Sequence, residues 1–292
     1  MLNKKKYVCF GGGNAMPKAV LSELKNYPVE ISVVCAMLDS GGSAGRLRRD
    51  YGISSPGDIR RSFIELSNTT PEIKKLLEFR FSGGELDGHN LFNILLAGLE
   101  LSSKNYSKVL TEMHKLLDIP FEILPATTDK SNLCAILENG EVITGETNID
   151  VPVHDPNLKI ERVFLNPPAK AYSKTISAIK NADVILIGPG DLYSSLAQIF
   201  LVKGISTAIK KSKAKKIYIC NLDNKIGETN DYFVEDFAKK IEEFIDCSLD
   251  YIIYDKKGSV KINTDSSKFI GADVSNKKVH NSKKLIKTIL KI

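Results

Sequence analysis

The feature that most restricts the fold of this chain is a short apolar strand that stops at three glycines and is followed by a helix and a second apolar strand. Tyr7-Val8-Cys9-Phe10 reads as a buried strand, Gly11-Gly12-Gly13 ends it, and a helical stretch runs from about Pro17 to Tyr27. Proline is tolerated in a first helical turn, so Pro17 fits that start. Val29 to Leu38 is a nearly continuous apolar run rich in β-branched residues, the pattern of a parallel strand covered on both faces. Strand, crossover helix and parallel strand form a right-handed βαβ unit.

The second half repeats this design. A helix from about Ser173 to Asn181 leads into a strand from Asp183 to Ile187, and Gly188-Pro189-Gly190 opens a further helix. Lys216 to Cys220 and Leu249 to Tyr254 read as strands, Phe233 to Ile245 and Lys283 to Ile292 as helices. Between the halves, residues 41 to 118 read as mostly helical, with starts at Pro56-Gly57-Asp58 and Pro71. Leu133 to Leu137 and Val142 to Thr144 flank Asn139-Gly140, a strong hairpin signal. Asn148 to Asn157 reads as a polar surface loop. Nothing resembles an interdomain linker or an internal repeat. The sequence predicts one domain over residues 1–292: a Rossmann-like three-layer α/β/α fold with a mostly parallel sheet and a small β-hairpin insertion.

Composition removes several classes of function. No stretch approaches the apolar length of a membrane span, and the four-residue apolar run after Lys4-Lys5-Lys6 is too short for a signal-peptide core, so a cytoplasmic protein is expected. The 5 cysteines have neither zinc spacing nor a disulfide framework. The net charge of +6 comes mostly from lysines without interleaved aromatics, which fits a solvated surface better than nucleic-acid binding and favours an anionic small ligand. There is no Walker lysine, no Gly-x-Ser-x-Gly and no His-Glu-x-x-His.

Three loops share the order strand, glycines, helix. In Gly11-Gly12-Gly13-Asn14 the glycines allow close backbone approach to a phosphate beside a helix start, although a tight structural turn explains them equally well. In the second, Asp39 ends a strand and can bind a ribose hydroxyl or a metal ion. Ser40-Gly41-Gly42-Ser43 can form an anion nest, with Arg46 to neutralise phosphate or simply to form a salt bridge. In Gly188-Pro189-Gly190-Asp191-Leu192-Tyr193-Ser194-Ser195, the amides and serine hydroxyls again sit at a helix start. Asp191 is equally a cap or a ligand contact, and Tyr193 packs or stacks on a base. Asp58 with Arg60 and Arg61 forms a helix ion pair or an anion and metal clamp. His89-Asn90 opens a helix, Asn166 ends a strand, and Asn221 follows another, with Glu228 a few residues on. Open α/β sheets bind ligands at such strand ends.

Taken in order, Gly11 to Ala15, Asp39 to Arg48, Pro56 to Arg60, Gly88 to Leu91, Asn166-Pro167, Gly188 to Ser195, and Asn221 with Gly227-Glu228-Thr229 resemble the CofD-like and YvcK-like proteins, the gluconeogenesis-factor family. The resemblance implies one of two activities. The CofD branch consists of magnesium-dependent transferases that move a phospholactyl group from a nucleotide diphosphate donor to an alcohol. The YvcK branch consists of regulators of cell shape, cell-wall synthesis and gluconeogenic growth that bind UDP-sugars. The Gly188 to Ser195 loop is similar to the YvcK version. Asp39-Ser40 replaces the family's usual pair of aspartates, which argues against clustered oxygen ligands for magnesium. A YvcK-like regulator is therefore expected, with a nucleotide-sugar as ligand and a cell-wall-synthesis protein as partner. Family analogy also leaves room for a homodimer. On this reading the Gly11 to Asn14 and Asp39 to Arg46 loops hold diphosphate and ribose, the Gly188 to Ser195 loop adds amides and hydroxyls, and Asn221 and Glu228 complete the crevice. For a transferase, Asp39 would be the principal magnesium ligand.

Overall fold

The computed structural model describes residues 4–103 and 105–292. A seven-stranded sheet forms its centre, with all neighbouring strands parallel. In chain order these strands are β1 (Lys6–Phe10), β2 (Glu30–Cys35), β3 (Glu122–Pro125), then, after a small separate sheet, β7 (Val184–Ile187), β8 (Lys215–Ile219), β9 (Tyr251–Asp255) and β10 (Phe269–Ala272). The spatial order is β10-β9-β8-β7-β1-β2-β3. The separate sheet consists of β4 (Asn132–Leu137), β5 (Val142–Thr144) and β6 (Ile160–Asn166), antiparallel with β4 in the middle. A two-stranded ribbon, β11 (Ser275–Asn276) and β12 (Val279–His280), lies near the carboxyl end.

Alternation along the strands explains the layering. In β1, Tyr7 and Cys9 enter one apolar core while Val8 and Phe10 enter the other. Successive side chains of a strand point to opposite faces, so a strand buried on both sides must be apolar throughout. One core is completed by α1, a π-helical turn Pro17–Leu21 running into Ser22–Leu24, with α3 (Gly57–Leu66), α5 (Leu91–Ser103), α6 (Tyr106–Leu116) and α12 (Ser282–Ile289). The other is covered by α9, a π-helical turn Leu192–Ala197 continuing as Gln198–Phe200, by α10 (Ile205–Lys211) and α11 (Val234–Ile245), and by the inner face of β4. This is the expected three-layer arrangement.

The predicted hairpin exists, with Gly140 at φ 86° and the Asn139 side chain accepting from the Glu141 amide. Its partner β6 makes it a three-stranded sheet. Not every element matches the sequence reading. The segment expected to be a loop from Asn148 overlaps a short helix, α7 (Glu146–Asp150). The helical character expected from residue 41 onward is present as α2 (Gly42–Tyr51), which ends on Gly52 in the left-handed conformation. Strands β3 and β10 were not distinguished in the sequence. Among the described residues, no helix is long and apolar enough to cross a membrane.

Candidate functional site

The chain builds the sheet outward from β1 in one direction and then, starting from β7, in the other, so the order reverses between β1 and β7. Loops leaving these adjacent strands diverge to opposite sides and open a crevice at their carboxyl ends. The Gly11-Gly12-Gly13 loop and the Gly188-Pro189-Gly190 loop are the two lips of that crevice. Both are followed by helices that begin with a π turn, a local form frequent at functional sites.

The loops are interlocked by side chains at their glycines. A Cβ on Gly12 would lie 1.9 Å from the Asp58 carboxylate, one on Gly57 2.1 Å from that of Asp39, and one on Gly41 2.4 Å from the Thr147 hydroxyl. Only glycine permits these approaches. Asp58 Oδ1 accepts from the Gly13 amide at 2.7 Å and from Arg61 Nη1 at 2.7 Å. The first loop is thus closed onto a carboxylate, while the amides of Gly12 and Asn14 have no acceptor among the described residues.

Two cavities follow the crevice. One, of about 250 Å³, is lined by Gly12, Gly13, Asn14 and Ala15 on one side, by Pro189, Gly190, Asp191 and Ser195 on the other, and by Asn221, Asp223, Lys278 and His280 beyond. The second, of about 350 Å³, lies over α2 and α3 and includes Asp39, Gly41, Gly42, Ser43, Asp58 and Arg60. Gly13, Asp191 and Ser195 belong to both, so the cavities form one cleft. Of the expected site residues, those named in this paragraph are brought together.

Others point elsewhere. Arg46, expected on phosphate, donates to the Asp87 carbonyl at 2.5 Å and lies beneath Gly88. Asn90 is buried, bonding the Leu77 and Phe79 carbonyls and capping α5 through the Asn93 amide. Asn166 sits at the exposed end of β6, outside both cavities. Gly11 packs on Met16. Ser40 turns away to accept from the Thr147 amide at 3.0 Å. Gly188, at φ 76°, makes the turn that presents Pro189 and Gly190. Tyr193 is buried with its hydroxyl on Tyr232. Glu228 does not face the cleft either. Its buried carboxylate accepts from the Tyr193 and Ser194 amides at 3.0 and 3.2 Å and from the Ser194 hydroxyl at 2.6 Å, capping α9. These polar groups satisfy buried helix ends, which a motif in a sequence does not distinguish from ligand contact.

Arg61, expected as an ion-pair partner of Asp58, lines the second cavity together with Arg80, Asn93, Glu146, Thr147, Asp150 and Gln198, which the sequence reading missed. They arrive from α3, the α4 (Pro71–Leu77) to α5 region, α5, α7 and α9, and only the Arg60-Arg61 doublet carried a local signal. It also missed Lys225, whose ammonium bridges Asp150, Asp191 at 2.7 Å and Glu228 at 3.2 Å.

Charge is strongly perturbed here. Burial, then the neighbouring Asp58 and Glu146 carboxylates, push Asp39 well above the usual carboxylate range. Burial likewise raises Asp58, against the opposing pull of Arg61 and the Gly13 amide. Glu146 is pushed up to about 7, chiefly by burial. Arg60 is lowered to about 10 by burial and by Arg61 and Arg80. His280 is held below the ordinary histidine value by burial. Clustered perturbed groups in a cleft mark functional sites.

Among the described residues, no group of three converging acidic ligands includes Asp39. Among the described residues, the one group of three acidic ligand atoms within 4.8 Å of one another is Asp150, Asp191 and Glu228. Lys225 already supplies the positive charge at that place. Asp39, Asp58 and Glu146 do not converge to that distance.

Comparison with known proteins agrees with the fold. The family profile described as 2-phospho-L-lactate transferase CofD matches residues 7–290. The chain is 40% identical over 242 residues to the gluconeogenesis factor of Halalkalibacterium halodurans, covering 82% of this chain and 74% of that protein. It is 38% identical over 249 residues to the gluconeogenesis factor of Bacillus subtilis, covering 85% and 77%. The crystal structure of a UPF0052-family protein from Bacillus halodurans superposes with a TM-score of 0.93 at 33% identity, covering 99% of this chain and 100% of that one. The chain therefore belongs to the CofD-like and YvcK-like family, and lies closer to its YvcK, or gluconeogenesis-factor, branch.

Proposed function

We propose that this protein is a YvcK-like regulator that binds a nucleotide-sugar, with a UDP-sugar as its ligand, and acts in gluconeogenic growth, cell shape and cell-wall synthesis. The observation that carries the reading is the glycine-lined cleft at the β1/β7 reversal, with uncommitted Gly12 and Asn14 amides beside the start of α1. Such amides, together with a helix start, attract phosphate. The names of the relatives support the gluconeogenic role. Binding without turnover is consistent with the site's chemistry: Lys225 replaces a cation among the acidic groups, and Ser40 replaces a carboxylate and caps α7.

Asp39, Asp58 and Glu146 on one wall favour a second reading, a CofD-like transferase. Among the described residues they form no group of three ligand atoms within 4.8 Å of one another. Isothermal titration of UDP-N-acetylglucosamine and GDP, each with and without magnesium, tests both. Tight UDP-sugar binding indifferent to magnesium is expected. Magnesium-dependent binding of GDP alone would replace the regulator with the transferase.

A further inference from the structure

The ion pairs of the second cavity leave two of its arginines out. Asp58 is paired with Arg61 at 2.7 Å, and Asp191 with Lys225 at 2.7 Å, Lys225 also holding Asp150. Arg60 and Arg80 have no carboxylate within 4.0 Å among the described residues. The remaining carboxylates, Asp39 and Glu146, are both shifted toward their neutral forms by burial. Arg60 and Arg80 are therefore the two arginines of this cavity that enter no ion pair among the described residues, Arg80 Nη1 donating instead to the Gly88 carbonyl at 2.5 Å.

Its buried polar atoms are also incompletely paired. Among the described residues, Arg60 Nε, Asn93 Oδ1 and Gln198 Oε1 are buried without a hydrogen-bond partner. Asn93 is 3% exposed and Gln198 2%, and both line this cavity. Their amide nitrogens are committed, Asn93 to the Ser43 hydroxyl at 3.1 Å and Gln198 to the Ser194 carbonyl at 2.5 Å. What remains is a pair of carbonyl acceptors. Buried polar groups are ordinarily satisfied, and exceptions call for a functional explanation.

We propose that the cavity over α2 and α3 is a subsite for a hydroxylated anionic group, with its charge on Arg60 and Arg80 and its hydroxyls donating to Asn93 and Gln198. The proposal rests on the nucleotide reading above and specifies the group that a nucleotide diphosphate would carry into the second cavity. A guanidinium matches a carboxylate or phosphate through paired N–H donors, while side-chain carbonyls accept from hydroxyls. A sugar acid attached to the nucleotide or a separate sugar phosphate would each satisfy this chemistry.

The test is calorimetry with UDP, UDP-glucose, UDP-glucuronate and free glucuronate 1-phosphate, on the intact protein and on Arg60→Gln, Arg60→Lys and Arg80→Gln. UDP-glucose and UDP-glucuronate differ only in the charged carboxylate. The expected result is at least tenfold tighter binding of UDP-glucuronate than of UDP-glucose, reduced to near parity by Arg60→Gln and partly restored in Arg60→Lys. The ratio is insensitive to any shared loss of UDP affinity. Arg80, being exposed, provides a variant that folds even if Arg60→Gln does not. Equal affinity for the two UDP-sugars in the intact protein would overturn an attached anionic sugar. If UDP itself does not bind, the nucleotide reading falls, and Arg60-dependent binding of glucuronate 1-phosphate alone would still support the subsite. Absence of both effects would overturn it.

Discussion

At the scale of single residues, the glycines of this cleft are there as much for neighbouring side chains as for a ligand. Gly12→Ala would drive its Cβ into Asp58, which must then leave the Gly13 amide or Arg61. Overpacking of this kind costs about 1–3 kcal/mol. Urea unfolding should show that loss, and nucleotide titration a weakened affinity; unchanged values in both would show that Asp58 moves freely. Lys225→Ala leaves three acidic groups without their counter-charge, a change expected to cost about 3 kcal/mol. Manganese or calcium should raise the melting temperature of that variant more than that of the intact protein. Glu146 adds a pH dependence. Its folded-state value of about 7 exceeds that of an exposed glutamate, so the protonated form is favoured in the fold. The associated stability is present at low pH and is lost as pH rises through about 7. Thermal melts between pH 5 and 8 should therefore fall more steeply for the intact protein than for Glu146→Gln, and parallel curves would remove Glu146 as the cause.

At the scale of elements, α7 and α9 decide which side chains reach the cleft. α7 is 5 residues long, below the length at which periodicity is readable, yet it carries Glu146, Thr147 and Asp150 into the second cavity. Its first turn is held by a distant residue, the Ser40 hydroxyl accepting from the Thr147 amide. Ser40→Ala should cost about 1 kcal/mol, the usual worth of such a cap, read as a lower urea midpoint with unchanged slope. α9 depends likewise on Glu228, which lies 35 residues from the Tyr193 amide that it caps. This long-range capping explains why Ser40 and Glu228 resembled ligand contacts in the sequence. The apolar strands were legible for the opposite reason, since burial on both faces writes an uninterrupted signal into a short segment.

At the scale of the whole molecule, two apolar cores hold the sheet between its helices, and the cleft opens where the strand order reverses. A ligand bound there touches loops from both halves of the chain and stabilises the folded state by mass action. At a hundred times its Kd that contribution is about 2.7 kcal/mol, which should raise Tm by about 5 °C. No shift with any UDP-sugar would count against the proposed function. The sequence alone determined the three-layer α/β architecture, the hairpin and the strand-end glycine loops, because each depends on local periodicity and backbone freedom. It also marked Gly12, Gly13, Asn14, Asp39, Asp58, Arg60, Asp191, Ser195 and Asn221, which the fold places along one cleft. Only the tertiary structure decided that Arg46, Asn90 and Glu228 serve the scaffold while Arg80, Asn93, Glu146 and Gln198 face the cavity. The side chains are alike in kind. Which buried amide or carbonyl each one meets depends on packing between segments far apart in the chain, and no local pattern records it.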